Sequence, residues 1–229
     1  PPAAWSGRFD AVLSFFALEH VSDPRGFLTT IRALLRPGGE LHLTVPNVRR
    51  NAGDFIVVDH VNHFMPSSLR RALSDAGFTD VRIDENAHDA AYVVDARRGV
   101  APVDAGVHAD VAAYVAEARR FAGFWSAANH AVASFEREQG LGRKSAIYGS
   151  GFYGVFIASR LADRSNLAYF LDRNPHQQAK RIFDRPVLAP EAIEDDVDVV
   201  YLGLNPAQAA GIAAGVAPLH TRGRAFFFI

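Results

Sequence analysis

Strand-like apolar runs alternate with helical patterns along most of this chain, and that alternation limits its fold more than any other feature. Such an order argues for α/β architecture with parallel strands, because each crossover helix returns the chain to run in the same direction. The first run is Ala11–Phe16. A helix is predicted over Arg25–Leu35, where Phe27, Leu28, Ile31, Leu34 and Leu35 share one face. Asp23-Pro24 signals its start, and Pro37-Gly38-Gly39 reads as a stop and turn. Glu40–Val45 follows as a strand, with Leu41, Leu43 and Val45 alternating. A loop rich in ionisable groups spans Val48–Pro66. Ser67 and Ser68 then read as caps of a helix to Ala76, with Gly77 just past its end. Val81–Ile83 and Ala91–Val94 are predicted to pair antiparallel at a sheet edge.

Arg97–Gly106 has the glycines and proline of a linker. One long helix is expected from Val107 to Gln139, with Val111, Tyr114, Val115, Ala118, Phe121, Ala122, Trp125, Ala128 and Val132 as a wide apolar stripe. So broad a stripe predicts a helix buried between other parts, bridging the two halves. The last third reads as a small βαβαβ unit: strand Ser145–Tyr148, helix Val155–Leu161, strand Leu167–Leu171, strand Asp198–Leu204, an Ala-rich helix and a final strand Arg224–Ile229. The expected division is therefore 1–98, a linker and long helix over 99–142, and 143–229.

Composition narrows the function classes. Net charge is −1 with no block of like charges, which gives no electrostatic footprint for nucleic acid or an anionic membrane. With no cysteine, disulfides and thiolate metal sites are excluded, and a reducing cytoplasm fits by default. No apolar run has the length of a membrane span. The chain opens on Pro1 rather than Met, so it reads as a fragment.

The run Phe9–Pro24, which ends its strand and continues Leu18-Glu19-His20-Val21, is followed by Leu34-Leu35-Arg36-Pro37-Gly38-Gly39 and Leu41–Asn47. His63-Phe64-Met65-Pro66 and Ala76-Gly77-Phe78 come next. These motifs, in this order and at these gaps, resemble the fourth and fifth strands and following segment of class I S-adenosylmethionine (SAM) dependent methyltransferases, over about Phe9–Val94. The resemblance implies the C-terminal part of a Rossmann-like methyltransferase sheet with SAM as cofactor. It places Ser14, Phe15, Phe16, Glu19 and His20 at the carboxyl end of a strand, where open parallel sheets bind ligands. Phe15 and Phe16 read equally as core residues, and Glu19-His20 as a structural turn. The family's glycine-rich SAM loop and acidic ribose-binding residue would lie upstream of Pro1.

Asp54–Phe64 sets Asp59, His60, Asn62 and His63 in one loop. Methyl transfer needs alignment and often a base, and histidine titrates near neutrality. This window resembles the active-site loop of the sugar C-methyltransferases. Asp54 and Ile56 match that pattern, Asp59 stands for its Glu, His60 matches its His, and His63 stands where it has a second Tyr. Val57 and Val58 depart from it. By that resemblance Asp59, His60 and His63 are catalytic candidates; structural or solvent-facing roles stay open. Metal ligation by His60 and His63 would rest on a three-residue spacing alone, so no metal is expected.

Gly149-Ser-Gly151-Phe-Tyr-Gly154 follows a strand and opens a helix, the context that gives a glycine triplet meaning. Asp172 ends the next strand, and Asn205 follows a third. Gly149, Gly151, Gly154, Asp172 and Asn205 are thus candidates for a phosphate or nucleotide. The order of this half resembles the Rossmann-like C-terminal domain of the sugar C-methyltransferases, which implies a nucleotide sugar or glycan precursor as acceptor. A nucleotide-binding module with an inactive methyltransferase remnant stays open, as does an NAD(P)-dependent oxidoreductase.

Overall fold

The computed structural model describes residues 1–100, 111–220 and 223–229. Most of the expected linker Arg97–Gly106, and the expected helix start at Val107, lie outside them. The chain divides into two compact units, Pro1–Phe121 and Ala122–Ile229.

In the first unit, β1 (Phe9–Phe15) leads through a 3-10 turn, Leu18–His20, to α1 (Pro24–Leu34). Asp23 caps α1, its Oδ1 accepting from the Gly26 N–H at 2.9 Å. Next come β2 (Leu35–Pro46), a 3-10 turn Ala52–Ile56, α2 (Pro66–Asp75), β3 (Phe78–Asp84) and β4 (Ala91–Arg98). The sheet order is β1-β2-β4-β3. β1 and β2 are parallel, whereas β2–β4 and β4–β3 are antiparallel. Leu41, Leu43 and Val45 alternate into the core with Leu28, Ile31, Leu69, Leu73, Phe78 and Tyr92. The other face of β2 is polar: His42 pairs with Asp95, and Glu40 with Arg97 at 2.8 Å. A shallow hollow of about 790 Å³ there is lined by these self-paired charges.

Two expectations are corrected. Pro37-Gly38-Gly39 does not end an element but bulges within β2: the register jumps from Phe9↔Leu35 to Ala11↔Glu40. Gly38 has φ +74°, and a Cβ on Gly39 would press on the carbonyls of Phe9 and Asp10 at 3.1 Å, so the bulge needs both glycines. Neither Ser67 nor Ser68 holds the cap position of α2. Met65 does, and Ser68 reaches back to accept from its N–H at 3.0 Å. Gly77 follows with φ +87° as expected.

The helix α3 (Val111–Phe135) runs into a π turn, Glu136–Gly140, and the division between units falls inside α3. The wide stripe is also corrected. Val111 and Val115 are exposed, and the buried face is narrow: Phe121, Trp125, Ala128 and Val132.

The second unit continues with β5 (Ser145–Tyr148), α4 (Phe152–Arg160), β6 (Leu167–Leu171) and α5 (Pro175–Gln178). A short hairpin, β7 (Arg181–Ile182) and β8 (Arg185–Leu188), precedes β9 (Val199–Leu202), α6 (Pro206–Ala214) and β10 (Ala225–Phe228). The sheet order is β10-β9-β5-β6-β8-β7, parallel except for the β7–β8 hairpin. After β5 the chain builds outward on one side and returns to β9 on the other. That makes the carboxyl end of β5 a topological switch point. No helix among the described residues is long and apolar enough to cross a membrane.

Candidate functional site

The carboxyl end of β1 carries the first group of predicted residues. Ser14 is buried, whereas Phe15 and Phe16 are exposed at 61% and 45%. Phe16 has φ +49°, a conformation that turns the chain sharply off the strand, and its N–H stays tied to Thr44 O at 3.1 Å. The turn Leu18–His20 then buries Glu19.

A loop folds onto this turn. Asn62 donates its N–H to Glu19 O at 3.1 Å, and its side-chain amide to Val21 O at 2.6 Å and Leu18 O at 3.3 Å. Those three bonds carry His60 to His20, with ring centroids 4.7 Å apart and nearly perpendicular. His20 Nδ1 lies 2.9 Å from Asp59 O and 3.5 Å from the Asp59 carboxylate, which is itself well exposed.

Asp54 organises the loop from beneath. It sits in the 3-10 turn Ala52–Ile56 and is 4% exposed. One oxygen lies 2.6 Å from His60 Nδ1, and the other 3.1 Å from His63 Nδ1. A carboxylate only accepts, so both imidazoles donate from Nδ1, and the neutral form of each presents Nε2 as a lone pair. This is the arrangement by which a carboxylate orients a basic imidazole. Phe55 covers His63 at 5.2 Å and itself packs on Phe121 at 5.3 Å. Asp54 and Asn62 were outside the predicted site residues. The available signal was an acidic residue six and nine positions before two histidines.

Glu19 is 1% exposed, and neither carboxylate oxygen accepts a hydrogen bond from another described residue. Burial raises its pKa above the usual carboxylate range. Its backbone hydrogen bond and the nearby His20 and His60 pull it down, and Asp54 pushes it up.

In the second unit the structure joins the glycine-rich turn to Asp172 through Ser150. Gly149 N–H donates to Leu171 O at 2.8 Å, and Gly203 N–H to Tyr148 O at 2.8 Å, which brings the ends of β5, β6 and β9 together. Asp172 Oδ2 accepts from the Ser150 N–H at 2.9 Å and the Ser150 hydroxyl at 2.5 Å, and Oδ1 from the Asn174 N–H at 2.9 Å. Burial pushes the Asp172 carboxyl up, but the Ser150 and Asn174 donors outweigh it and leave its pKa lowered. A Cβ on Gly154 would collide with the Gly149 carbonyl oxygen, while one on Gly151 would meet open space. Asn205 Oδ1 is occupied in capping α6, accepting from the Ala207 N–H at 3.1 Å.

Residues 2–83, just over a third of the chain, match the family model of a methyltransferase domain. A ubiquinone biosynthesis O-methyltransferase of Cereibacter sphaeroides is 54% identical over 37 residues, 16% of this chain and 15% of that protein. The enzyme of the same name from Parvibaculum lavamentivorans is 38% identical over 56 residues, 24% of this chain and 22% of its own. The chain thus spans about a sixth to a fifth of these relatives' length. A solved SAM-dependent methyltransferase from Thermotoga maritima is 16% identical, with 41% of this chain and 57% of that one covered, at a TM-score of 0.34.

Proposed function

We propose that the first unit is part of a SAM-dependent methyltransferase that deprotonates its acceptor with a carboxylate-held histidine. The observation that carries this is Asp54, buried and bonded to Nδ1 of both His60 and His63. The family match over residues 2–83 supports the reaction class. His63 is the base in this reading: its side chain is 26% exposed against 17% for His60, so its Nε2 is the more open to an acceptor.

SAM, when bound, supplies an electrophilic methyl group on a sulfonium. The exposed rings of Phe15 and Phe16 fit a flat, apolar part of that molecule, at the strand end where such ligands sit. The chain's own contribution is the proton step. His63 Nε2 takes the proton from the acceptor's hydroxyl or acidic C–H, and Asp54 stabilises the imidazolium that forms.

The finer reading is a nucleotide sugar or glycan precursor as acceptor. It rests on the second unit, where a glycine-rich turn and Asp172 meet at a switch point. A phenolic hydroxyl is the competing acceptor, favoured by the short matches to ubiquinone O-methyltransferases. Two measurements test the proposal. The first is calorimetric titration of SAM into this chain and any longer product of its gene. The second is methyl transfer from labelled SAM with Asp54→Asn and His63→Gln. Asp54→Asn should lower the rate at least ~100-fold with SAM affinity unchanged. An unaltered rate in an active protein would remove the base from this cluster, and no SAM binding by either form would sink the reaction class.

A further inference from the structure

Glu19 sits at 1% exposure, and no other described residue donates a hydrogen bond to either of its oxygens; its own backbone N–H is the one donor at hand. A carboxylate buried this deeply with so few donors is costly, by several kcal/mol in general. Asp54, nearby, adds like charge rather than relief. What does surround Glu19 is a pair of imidazoles. One donor atom from each of Glu19, His20 and His60 lies within 4.8 Å of the other two, and His20 Nε2 is 3.9 Å from Glu19 Oε1.

The hydrogen bonds behind the two rings decide which nitrogens are free. His20 Nδ1 faces the Asp59 carbonyl, which only accepts, and His60 Nδ1 faces the Asp54 carboxylate. Both rings therefore donate from Nδ1, and the neutral form of each leaves its lone pair on Nε2. A metal-binding histidine has this pattern: one nitrogen for the ion, the other held by a carbonyl or carboxylate. Ligand distances near 2.1 Å put donors about 3.4 Å apart around an ion, so the present spacing, within 4.8 Å, has at most about 1.4 Å to close.

We propose that Glu19, His20 and His60 form a binding site for a divalent transition-metal ion. Two imidazole nitrogens and one carboxylate suit zinc, cobalt or nickel and do not suit magnesium or calcium, which take oxygen ligands. Three protein ligands leave at least one position open to a small molecule. Asp54 then serves two rings at once, fixing His60 as a ligand and His63 as a base. Metal binding itself needs no methyl transfer. On the methyl-transfer reading, the open position would take an acceptor hydroxyl oxygen and favour its deprotonation.

The test uses the whole chain, stripped with chelator and titrated with Co²⁺ and Zn²⁺ without SAM. Co²⁺ should bind one per chain with visible d–d absorption, and Zn²⁺ should displace it, while Mg²⁺ at the same concentration should not. Glu19→Gln and His20→Gln should each weaken Co²⁺ binding at least ~100-fold, and Asp54→Asn ~10–100-fold. His42→Gln, at the self-paired cluster on the other face of β2, should change nothing. In chelator, Glu19→Gln should melt at or above the parent temperature, because a buried charge is removed. Should it fail to fold, the partly exposed His20 carries the test. Absence of one-to-one binding, or binding that survives these substitutions, overturns the site. Because the readout is spectroscopic, its failure leaves the methyl-transfer proposal standing, and failure of SAM binding leaves the metal site standing.

Discussion

Gly154→Ala puts the packing of the glycine-rich turn to a direct test. In an exposed helix interior, Gly→Ala gains about 1 kcal/mol, because glycine loses more backbone entropy on folding. At Gly154 the added Cβ would stand 1.9 Å from the Gly149 carbonyl oxygen. Contacts between carbon and a carbonyl oxygen begin at about 3.3 Å, so the overlap is about 1.4 Å. Nothing flexible can give way. Gly149 is held at φ +99° with its N–H on Leu171 O, and a Cβ at Gly203 would meet Gly154 Cα at 2.4 Å. Overpacking commonly costs 1–3 kcal/mol and more where backbone must move. The clash therefore wins, and a net loss of about 2–3 kcal/mol is expected. Gly211→Ala, in α6 with nothing within 4 Å of its Cβ, should instead gain about 0.5–1 kcal/mol. Urea unfolding followed by Trp125 fluorescence reads both, since Trp125 packs on Phe152, Tyr153 and Phe156 of α4. The other tryptophan, Trp5, lies half exposed in the first unit and is replaced by Phe throughout. With m near 1–3 kcal/mol per molar, Gly154→Ala should lower the midpoint by about 1 M or more. A midpoint at or above that of the parent would mean that the Gly149 carbonyl does not face Gly154, and the turn's geometry would be wrong.

Asp172 should give the second unit part of its acid sensitivity. Its folded pKa lies below the ordinary aspartate value of 3.8, so its stabilisation is present above that value and is lost as pH falls through the folded pKa. Asp172→Asn should then cost stability at pH 6, with a gap from the parent that closes below pH 3.8; a gap constant with pH counts against the Ser150 and Asn174 bonds. Arg224, 7% exposed, donates to the carbonyls of Val197, Pro218, Leu219 and Glu194. A lysine ammonium cannot reach that fork of acceptors, so Arg224→Lys should cost about 2–4 kcal/mol in the same urea assay, and a cost under about 0.5 kcal/mol would show the fork to be idle. Asn62→Ala should lower methyl transfer and Co²⁺ affinity together, because Asn62 ties the histidine loop to the Glu19 turn; a change in only one would uncouple the two sites.

Strand and helix order was legible because periodicity marks each element. Ser145–Tyr148 and Leu167–Leu171 fall where their apolar runs place them. The bulge in β2 was not, since Pro37-Gly38-Gly39 spells a turn in local chemistry and only pairing with β1 shows that the strand goes on. The β7–β8 hairpin escaped because two and four residues are too few to show a period. In α3, the stripe at Val111 and Val115 was apolar without being buried, for composition shows what a face tolerates and not what covers it. For the site, the strand end and the histidine loop were readable as motifs. Their meeting was not. It depends on three bonds from Asn62 and on the depth of Glu19, which are tertiary facts.

Glu19 and Asp54 make the clearest case for what such burial implies. Both are carboxylates, 1% and 4% exposed, yet only Asp54 has its oxygens satisfied. If burial of Glu19 served packing alone, a glutamine of the same shape would fit as well without a charge to desolvate. If it serves a cation, glutamine must fail, because it keeps the shape and loses the charge. Stability in chelator and affinity for Co²⁺ should therefore move in opposite directions in Glu19→Gln. A single substitution thus separates a packing role from a binding role, and a Co²⁺ affinity that Glu19→Gln leaves unchanged would leave Glu19 without a cation to explain it.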